Sequence, residues 1–237
     1  MHPDKRSERE LLPQPPGREE IREEIKSRVA RIDREFLEAF EFISSFPRSV
    51  SFFGSSRTKE SSEHYEEARR LAGRIVRELG YTVLTGGSSG IMEAANRGAF
   101  EAGGQSVGLN IRLAKEQGGN RYTTASIDFS YFFVRKLALS YAAEAYIFFP
   151  GGFGTLDEFF EIVTLIQTHK IRRAPIFLVG KDYWKPLNDF LRGNVYEIHQ
   201  AVSKDDLELY KIVDNEDEII EKIRATPVHE GIPTRRR

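Results

Sequence analysis

Hydrophobic positions along the chain follow two alternating patterns, which predict strands and helices in turn. Short runs rich in β-branched and aromatic residues are separated by stretches whose apolar residues recur every three or four positions. Buried strands joined in this way are typical of a parallel sheet with helices on both faces. We therefore predict a doubly wound, mainly parallel α/β sandwich. Its strands are Val50–Phe53, Tyr81–Thr85, Ser106–Ile111, Ser126–Phe129, Ala145–Phe149, Pro175–Val179 and Tyr210–Val213.

An amphipathic helix precedes this alternating region. Its apolar stripe consists of Ile21, Ile25, Val29, Ile32, Phe36, Phe40 and Ile43. The polar face mixes Glu with Arg, which disfavours a membrane-surface role, so we expect the helix to pack on the main domain or on a second subunit. We therefore expect four parts: a disordered tail (1–17), an N-terminal helix (18–47), the α/β domain (48–225) and a C-terminal tail (226–237).

Composition narrows the function. The 237 residues carry 35 Lys and Arg against 36 Asp and Glu, so no global basic field attracts nucleic acid or anionic lipid. The absence of cysteine excludes disulfide scaffolds, thiolate catalysis, zinc fingers and iron–sulfur clusters. The five histidines are scattered, and we expect no metal. Apolar runs are too short to span a membrane, and the N-terminus has no apolar signal segment, so we expect a cytoplasmic protein.

Glycine-rich turns follow three of the predicted strands, at the sheet edge where doubly wound folds bind ligands. They are Gly54–Arg57, Thr85–Gly90 and Pro150–Glu158. In the last, three glycines precede a helix whose N-terminus attracts anions, so we interpret it as a phosphate cradle. This cradle lacks the lysine of a Walker A loop, so it suits a monophosphate better than a triphosphate. The turn after the first strand lacks the glycine pattern that binds dinucleotides. The alternative is that all three turns are merely tight connections.

Charged residues near this edge are candidates for chemistry. Thr155 is a predicted helix cap, and Glu158 lies three residues later, where it can face the same cleft. A capping box is the alternative for Glu158, and Asp157 has mainly a structural role in the predicted first turn. Arg135 and Lys136 interrupt an otherwise apolar helix, which indicates either a functional pair or an internal salt bridge.

These residues resemble motifs of the LONELY GUY (LOG) family, whose members are also labelled possible lysine decarboxylases. The segment Pro150–Glu158 resembles the family's P-G-G-x-G-T-x-x-E signature, and Arg135-Lys136 resembles the R-K of its second motif. The turn at Gly86–Met92, which reads G-G-S-S-G-I-M, resembles another glycine-rich turn of the family. The chain departs from the family at Phe133-Val134, where His-Glu is usual, so we expect this part of the pocket to be less polar.

The resemblance implies a homodimeric, Rossmann-like hydrolase that needs no cofactor. It would cleave the N-glycosidic bond of a nucleoside 5′-monophosphate, either cytokinin riboside monophosphate or AMP, to free base and ribose 5-phosphate. A decarboxylase would instead need pyridoxal phosphate, and a non-catalytic nucleotide- or molybdopterin-binding module is the alternative function. The predicted catalytic residues are Arg135 and Glu158. The predicted substrate-binding residues are Ser55, Gly86, Gly87, Lys136, Gly151, Gly152, Phe153, Gly154, Thr155 and Asp157.

The hypothesis gives each group a role in an oxocarbenium-like transition state. The amides of 152–154 and Thr155 would hold the phosphate, with help from Lys136. Glu158 would hold the ribose hydroxyls and either stabilise the cation or orient water. Arg135 would either assist departure of the base or bind the ribosyl phosphate.

Overall fold

The computed structural model describes residues 17–112 and 119–227, and its centre is one sheet of seven parallel strands. These are β1 (Ser49–Phe53), β2 (Thr82–Thr85), β3 (Ser106–Ile111), β4 (Ala125–Phe129), β5 (Ala145–Phe148), β6 (Ile176–Leu178) and β7 (Tyr210–Ile212). Each strand predicted from the sequence is present, and its ends differ by no more than one residue. The predicted doubly wound, Rossmann-like α/β fold is therefore confirmed.

The strand order, β4-β3-β2-β1-β5-β6-β7, defines where a ligand can bind. The chain builds the sheet outward from β1 to β4 and then returns to place β5 on the other side of β1. The connections after β1 and β5 therefore leave the sheet in opposite directions. In open α/β sheets a crevice forms at this switch point, beyond the carboxyl ends of the two strands.

Helices cover both faces of the sheet. They are α1 (Arg18–Ser44), α2 (Glu63–Leu79), α3 (Ile91–Glu101), α4 (Phe132–Ala142), α5 (Phe153–Gln167), α6 (Lys181–Phe190) and α7 (Glu216–Ala225). One buried apolar cluster joins α2, α3 and α7 to the sheet, and a second joins α1, α4, α5 and α6 to the opposite face. The strands have apolar neighbours on both faces, which explains why their sequences show little polar alternation.

The first helix is attached to the domain through its second half. Ala39 and Ile43 are buried, whereas residues 18–31 are exposed. The carboxylate of Glu35 accepts hydrogen bonds of 2.9 Å from the backbone amides of Ser130 and Tyr131, just before α4 begins. Packing on the main domain, one of the two predicted roles, is therefore confirmed for this half. The predicted homodimer stays a prediction.

The two predicted tails lie almost wholly outside the described residues, except Gly17 and residues 226–227. Gly17, the last residue of the predicted N-terminal tail, directly precedes α1. Its backbone amide donates a hydrogen bond to the carboxylate of Glu20. Within the described part of the chain, no helix is both long enough and apolar enough to cross a membrane.

Candidate active site

A cavity of about 920 Å³ opens at the switch point between β1 and β5. The loop that follows β1 forms one wall, and the glycine-rich loop that follows β5 forms another. The amide of Ser55 donates to the carbonyl of Pro150 at 3.1 Å, which joins the two loops at the base of the cavity. Most of the predicted site residues line this cavity. They are Ser55, Gly86, Arg135, Gly151, Gly152, Phe153, Gly154, Thr155 and Glu158.

The glycine-rich loop presents the start of α5 to this cavity. The helix begins at Phe153, with Gly152 as its N-cap, so the prediction that Thr155 caps it was wrong by three residues. No side chain caps this end, and no acidic residue lies in its first turn. The first amides of a helix lack acceptors within the helix, so these donors are available to an anion.

Two of the glycines keep this helix start open. A Cβ atom at Gly152 or Gly154 would meet no heavy atom within 4 Å, whereas one at Gly151 would lie 2.1 Å from Oγ1 of Thr155. Gly151 is therefore required by packing. Gly152 and Gly154 instead leave space at the cavity wall, which allows a ligand to approach the backbone closely.

Arg135 is buried at the inner end of the cavity. Its Nε donates to the carbonyl of Leu109 at 2.6 Å, and its Nη2 donates to the carbonyl of Gly86 at 3.2 Å. A Cβ atom at Gly86 would lie 2.1 Å from Nη2, so this glycine makes room for the guanidinium. Burial lowers the pKa of Arg135 from its ordinary value and Glu158 opposes this shift, but a guanidinium remains charged in proteins.

Glu158 shares this cavity and is half-buried. Desolvation by burial raises the pKa of its carboxyl from an ordinary 4.5 to about 7, although the charges of Arg135 and Lys136 act in the opposite direction. Its position excludes the capping-box alternative, because the N-cap is Gly152 and not Thr155. Displaced pKa values in a cleft are typical of functional carboxyl groups.

Lys136 and Asp157 lie outside the cavity. The ammonium of Lys136 contacts the carboxylates of Asp157 at 2.7 Å and Glu161 at 2.8 Å, which joins α4 to α5. The internal salt bridge considered for the Arg135-Lys136 pair is thus present, for Lys136 alone. Asp157 lies past the first turn of α5, so the expectation of a first-turn acid was wrong.

Gly87 is the other predicted site residue that does not line the cavity. Its φ is +72°, and a Cβ atom there would lie 1.7 Å from Oδ1 of Asn110, so the turn requires glycine. Phe133 and Val134 also lie outside the cavity lining, contrary to the expectation that they alter the pocket. Phe133 packs against Phe36 of α1, which accounts for an aromatic residue at this position.

The predicted site residues omit several that line the cavity, among them Arg57, Thr58, Met92 and Tyr183. Arg57 and Met92 end turns that the sequence analysis described, but neither was selected as a site residue, and Thr58 directly follows the first of these turns. Tyr183 comes from α6, and its hydroxyl donates to the carbonyl of Gly151 at 2.7 Å. No motif signalled this contact.

The fold and this site together define an α/β protein with an uncapped helix start at the switch point of its sheet. The family model described as "Possible lysine decarboxylase" matches residues 92–223, more than half of the chain. The chain therefore belongs to this family, the LOG family that its motifs resemble.

Curated relatives are plant and bacterial proteins of this family. The chain is 29% identical over 193 residues to cytokinin riboside 5′-monophosphate phosphoribohydrolase LOG5 of Arabidopsis thaliana, covering 80% of this chain and 82% of that protein. It is 30% identical over 156 residues to LOG7 of the same plant, covering 65% and 71%. A bacterial protein of the same name, from Rhodococcoides fascians, is 24% identical over 154 residues, covering 64% and 77%.

Solved structures share the fold. The molybdenum cofactor binding protein of Rippkaea orientalis superposes with a TM-score of 0.53 at 19% identity, covering 75% of this chain and 94% of that one. The molybdenum cofactor carrier protein of Chlamydomonas reinhardtii gives 0.52 at 22% identity, with the same coverage.

Proposed function

We propose that the protein hydrolyses the N-glycosidic bond of a nucleoside 5′-monophosphate, cytokinin riboside monophosphate or AMP, to free base and ribose 5-phosphate. The observation that carries this proposal is that one cavity holds both the uncapped start of α5 and the carboxyl of Glu158. The first is an anion site and the second is an ionisable group whose pKa lies near neutrality. Relatives named phosphoribohydrolases support the same reaction.

The cavity supplies the groups that this reaction needs. The amides at the start of α5 and the hydroxyl of Thr155 bind the 5′-phosphate, which fixes the ribose relative to Glu158. As the bond to the base lengthens, positive charge develops at C1′, and ionised Glu158 stabilises it and orients the attacking water. The oxygen of water bonds to C1′ as the bond to the base breaks. The proton that the water loses is transferred to the departing base. The cation of Arg135 stabilises the negative charge that gathers on the base.

This function is tested with a panel of nucleoside 5′-monophosphates, followed by chromatography of the released bases. We expect free base and ribose 5-phosphate in equal amounts from at least one monophosphate. The matching nucleosides, which lack the phosphate, should react at least about 100-fold more slowly, because remote binding energy contributes to the transition state. Nucleosides cleaved as fast as their monophosphates would contradict the role of the helix start.

The same panel decides the non-catalytic alternative. A binding module would bind a monophosphate and release no base from any member of the panel. Glu158 favours catalysis, because a carrier of nucleotides needs no carboxyl whose ionisation is displaced to about pH 7.

The pH dependence of base release gives an independent test of Glu158. Its ionised form is the active one, so kcat/KM should rise with pH and level off above about 7. The positive charge of Lys136 lowers the pKa of Glu158, so Lys136→Gln should move this rise to higher pH while the plateau rate is retained. The substrate phosphate also ionises, near pH 6, but identically for both proteins. Superimposable profiles would contradict the assignment.

A further inference from the structure

Among the described residues, three charged side chains line the cavity: Arg57, Arg135 and Glu158. Arg57 lies in the loop after β1, whose backbone is fixed where the amide of Arg57 donates to Oγ of Ser55 at 3.1 Å. The amide of Ser55 in turn donates to Pro150, the residue before the glycine-rich loop. Arg57 is therefore carried by a loop that is joined directly to the one holding the start of α5.

The guanidinium of Arg57 is exposed, and it has no hydrogen bond or ion pair within residues 17–112 and 119–227. Other arginines at the surface of α2 and α3 behave differently. Arg69, Arg74 and Arg97 each contact one or more carboxylates. An unpaired guanidinium on a concave surface offers a planar set of donors that matches a phosphate or a carboxylate.

The remaining cations near the site are already engaged. Lys136 pairs with two carboxylates outside the cavity, and Arg135 donates to two backbone carbonyls. A phosphate monoester carries a charge of about −1.5 to −2 at neutral pH. A helix start supplies only about half a positive charge, so the amides of α5 leave most of this charge unbalanced.

From these observations we infer that Arg57 binds the 5′-phosphate of the substrate together with the amides at the start of α5. It fills the role that the sequence suggested for Lys136. The inference rests on the proposed function, and it specifies the substrate further, because a phosphate bound by both groups is recognised whatever base is attached. Loss of Arg57 should therefore lower the affinity for every nucleoside monophosphate by a similar factor.

The test measures binding of ribose 5-phosphate by titration calorimetry at constant ionic strength, with ribose as the uncharged comparison. Arg57→Ala should lower the affinity for ribose 5-phosphate by about 10- to 100-fold, as expected when a hydrogen bond to a charged group is lost. Arg57→Lys keeps the charge but lacks the planar set of donors, so its affinity for ribose 5-phosphate should lie between those of the wild type and Arg57→Ala. Lys59→Ala is the matched control, because it removes one positive charge from the same loop at a residue that does not line the cavity.

Kinetics give the second measurement. In Arg57→Ala, KM should rise by the same factor for purine and pyrimidine monophosphates that are substrates, while kcat stays within a few fold. Binding of ribose 5-phosphate equal to that of Lys59→Ala would overturn the inference, and base release by the wild type would still uphold the hydrolase. A rise in KM confined to one base would also overturn it, since Arg57 would then contact the base. A wild type that releases no base refutes the proposed function, and the inference with it.

Discussion

Glu158→Gln is expected to reduce base release strongly and, above pH 7, to make the fold more stable than the wild type. The amide keeps the shape of the side chain but cannot carry the negative charge that opposes the developing cation at C1′. We expect kcat to fall by about 10³-fold, the upper part of the range found when one preorganised electrostatic contact is removed. The measurement is base release at saturating substrate.

The gain in stability follows from the direction of the pKa shift. Burial raises the pKa of Glu158 from 4.5 to about 7, so the folded protein holds this proton over a pH range in which the unfolded chain has lost it. Wild-type stability therefore falls as pH rises from about 4.5 to 7, and glutamine escapes this loss. The gain should be absent at pH 4 and on the order of 1–3 kcal/mol at pH 8, measured by urea unfolding.

Glu161→Gln is the matched control for this experiment. Glu161 lies one turn further along α5, outside the cavity lining, and pairs with Lys136. Its variant should retain turnover within a few fold. If Glu158→Gln turns over substrate nearly as well as the wild type, the catalytic role is refuted. If its stability relative to the wild type is the same at pH 4 and pH 8, the displaced ionisation is refuted instead.

Arg135→Ala is expected to reduce base release by at least about 100-fold and to lower the free energy of unfolding by about 1–3 kcal/mol. The variant removes the buried cation and leaves the carbonyls of Leu109 and Gly86 without their donors. Both effects come from one side chain, so stability and turnover must be measured together. Added guanidinium at concentrations below those that denature the protein should restore part of the turnover.

This chemical rescue separates catalysis from structure. A small cation that enters the space left by Arg135 can replace its charge in the cavity. Arg135→Lys provides a variant that retains the charge, and we expect it to remain folded but to keep only a small part of the activity, because an ammonium cannot donate to both carbonyls with the planar geometry of a guanidinium. Near-native turnover of Arg135→Ala would contradict any contact with the reacting groups.

The strands were predictable because both of their faces are buried. Runs such as Ala145–Phe149 are continuously apolar, and this pattern depends only on local sequence. The start of α5 was less predictable, because threonine is a favoured cap and the glycines before it are compatible with a turn. The structure instead uses Gly152 as the cap, which leaves the first amides exposed to the cavity.

The geometry of a helix explains why only one residue of each of two adjacent pairs lines the cavity. Successive side chains on a helix point about 100° apart, so the two members of a pair can face different neighbours. Arg135 faces the cavity while Lys136 faces α5, and Glu158 faces the cavity while Asp157 faces Lys136. The sequence analysis gave the catalytic roles to Arg135 and Glu158 and a mainly structural one to Asp157, but it also assigned Lys136 to the phosphate, because the motif does not show that Lys136 pairs with carboxylates of α5.

The contact of Glu35 with the chain before α4 gives the N-terminal helix a second structural role in addition to its packing on the sheet. Its carboxylate satisfies two backbone amides immediately ahead of the helix that carries Arg135. The N-terminal helix thus anchors the chain directly before the helix that carries the buried guanidinium of Arg135. A version of this chain trimmed to the seven-stranded core would lack that anchor, so α1 is part of the structure that holds Arg135 in place.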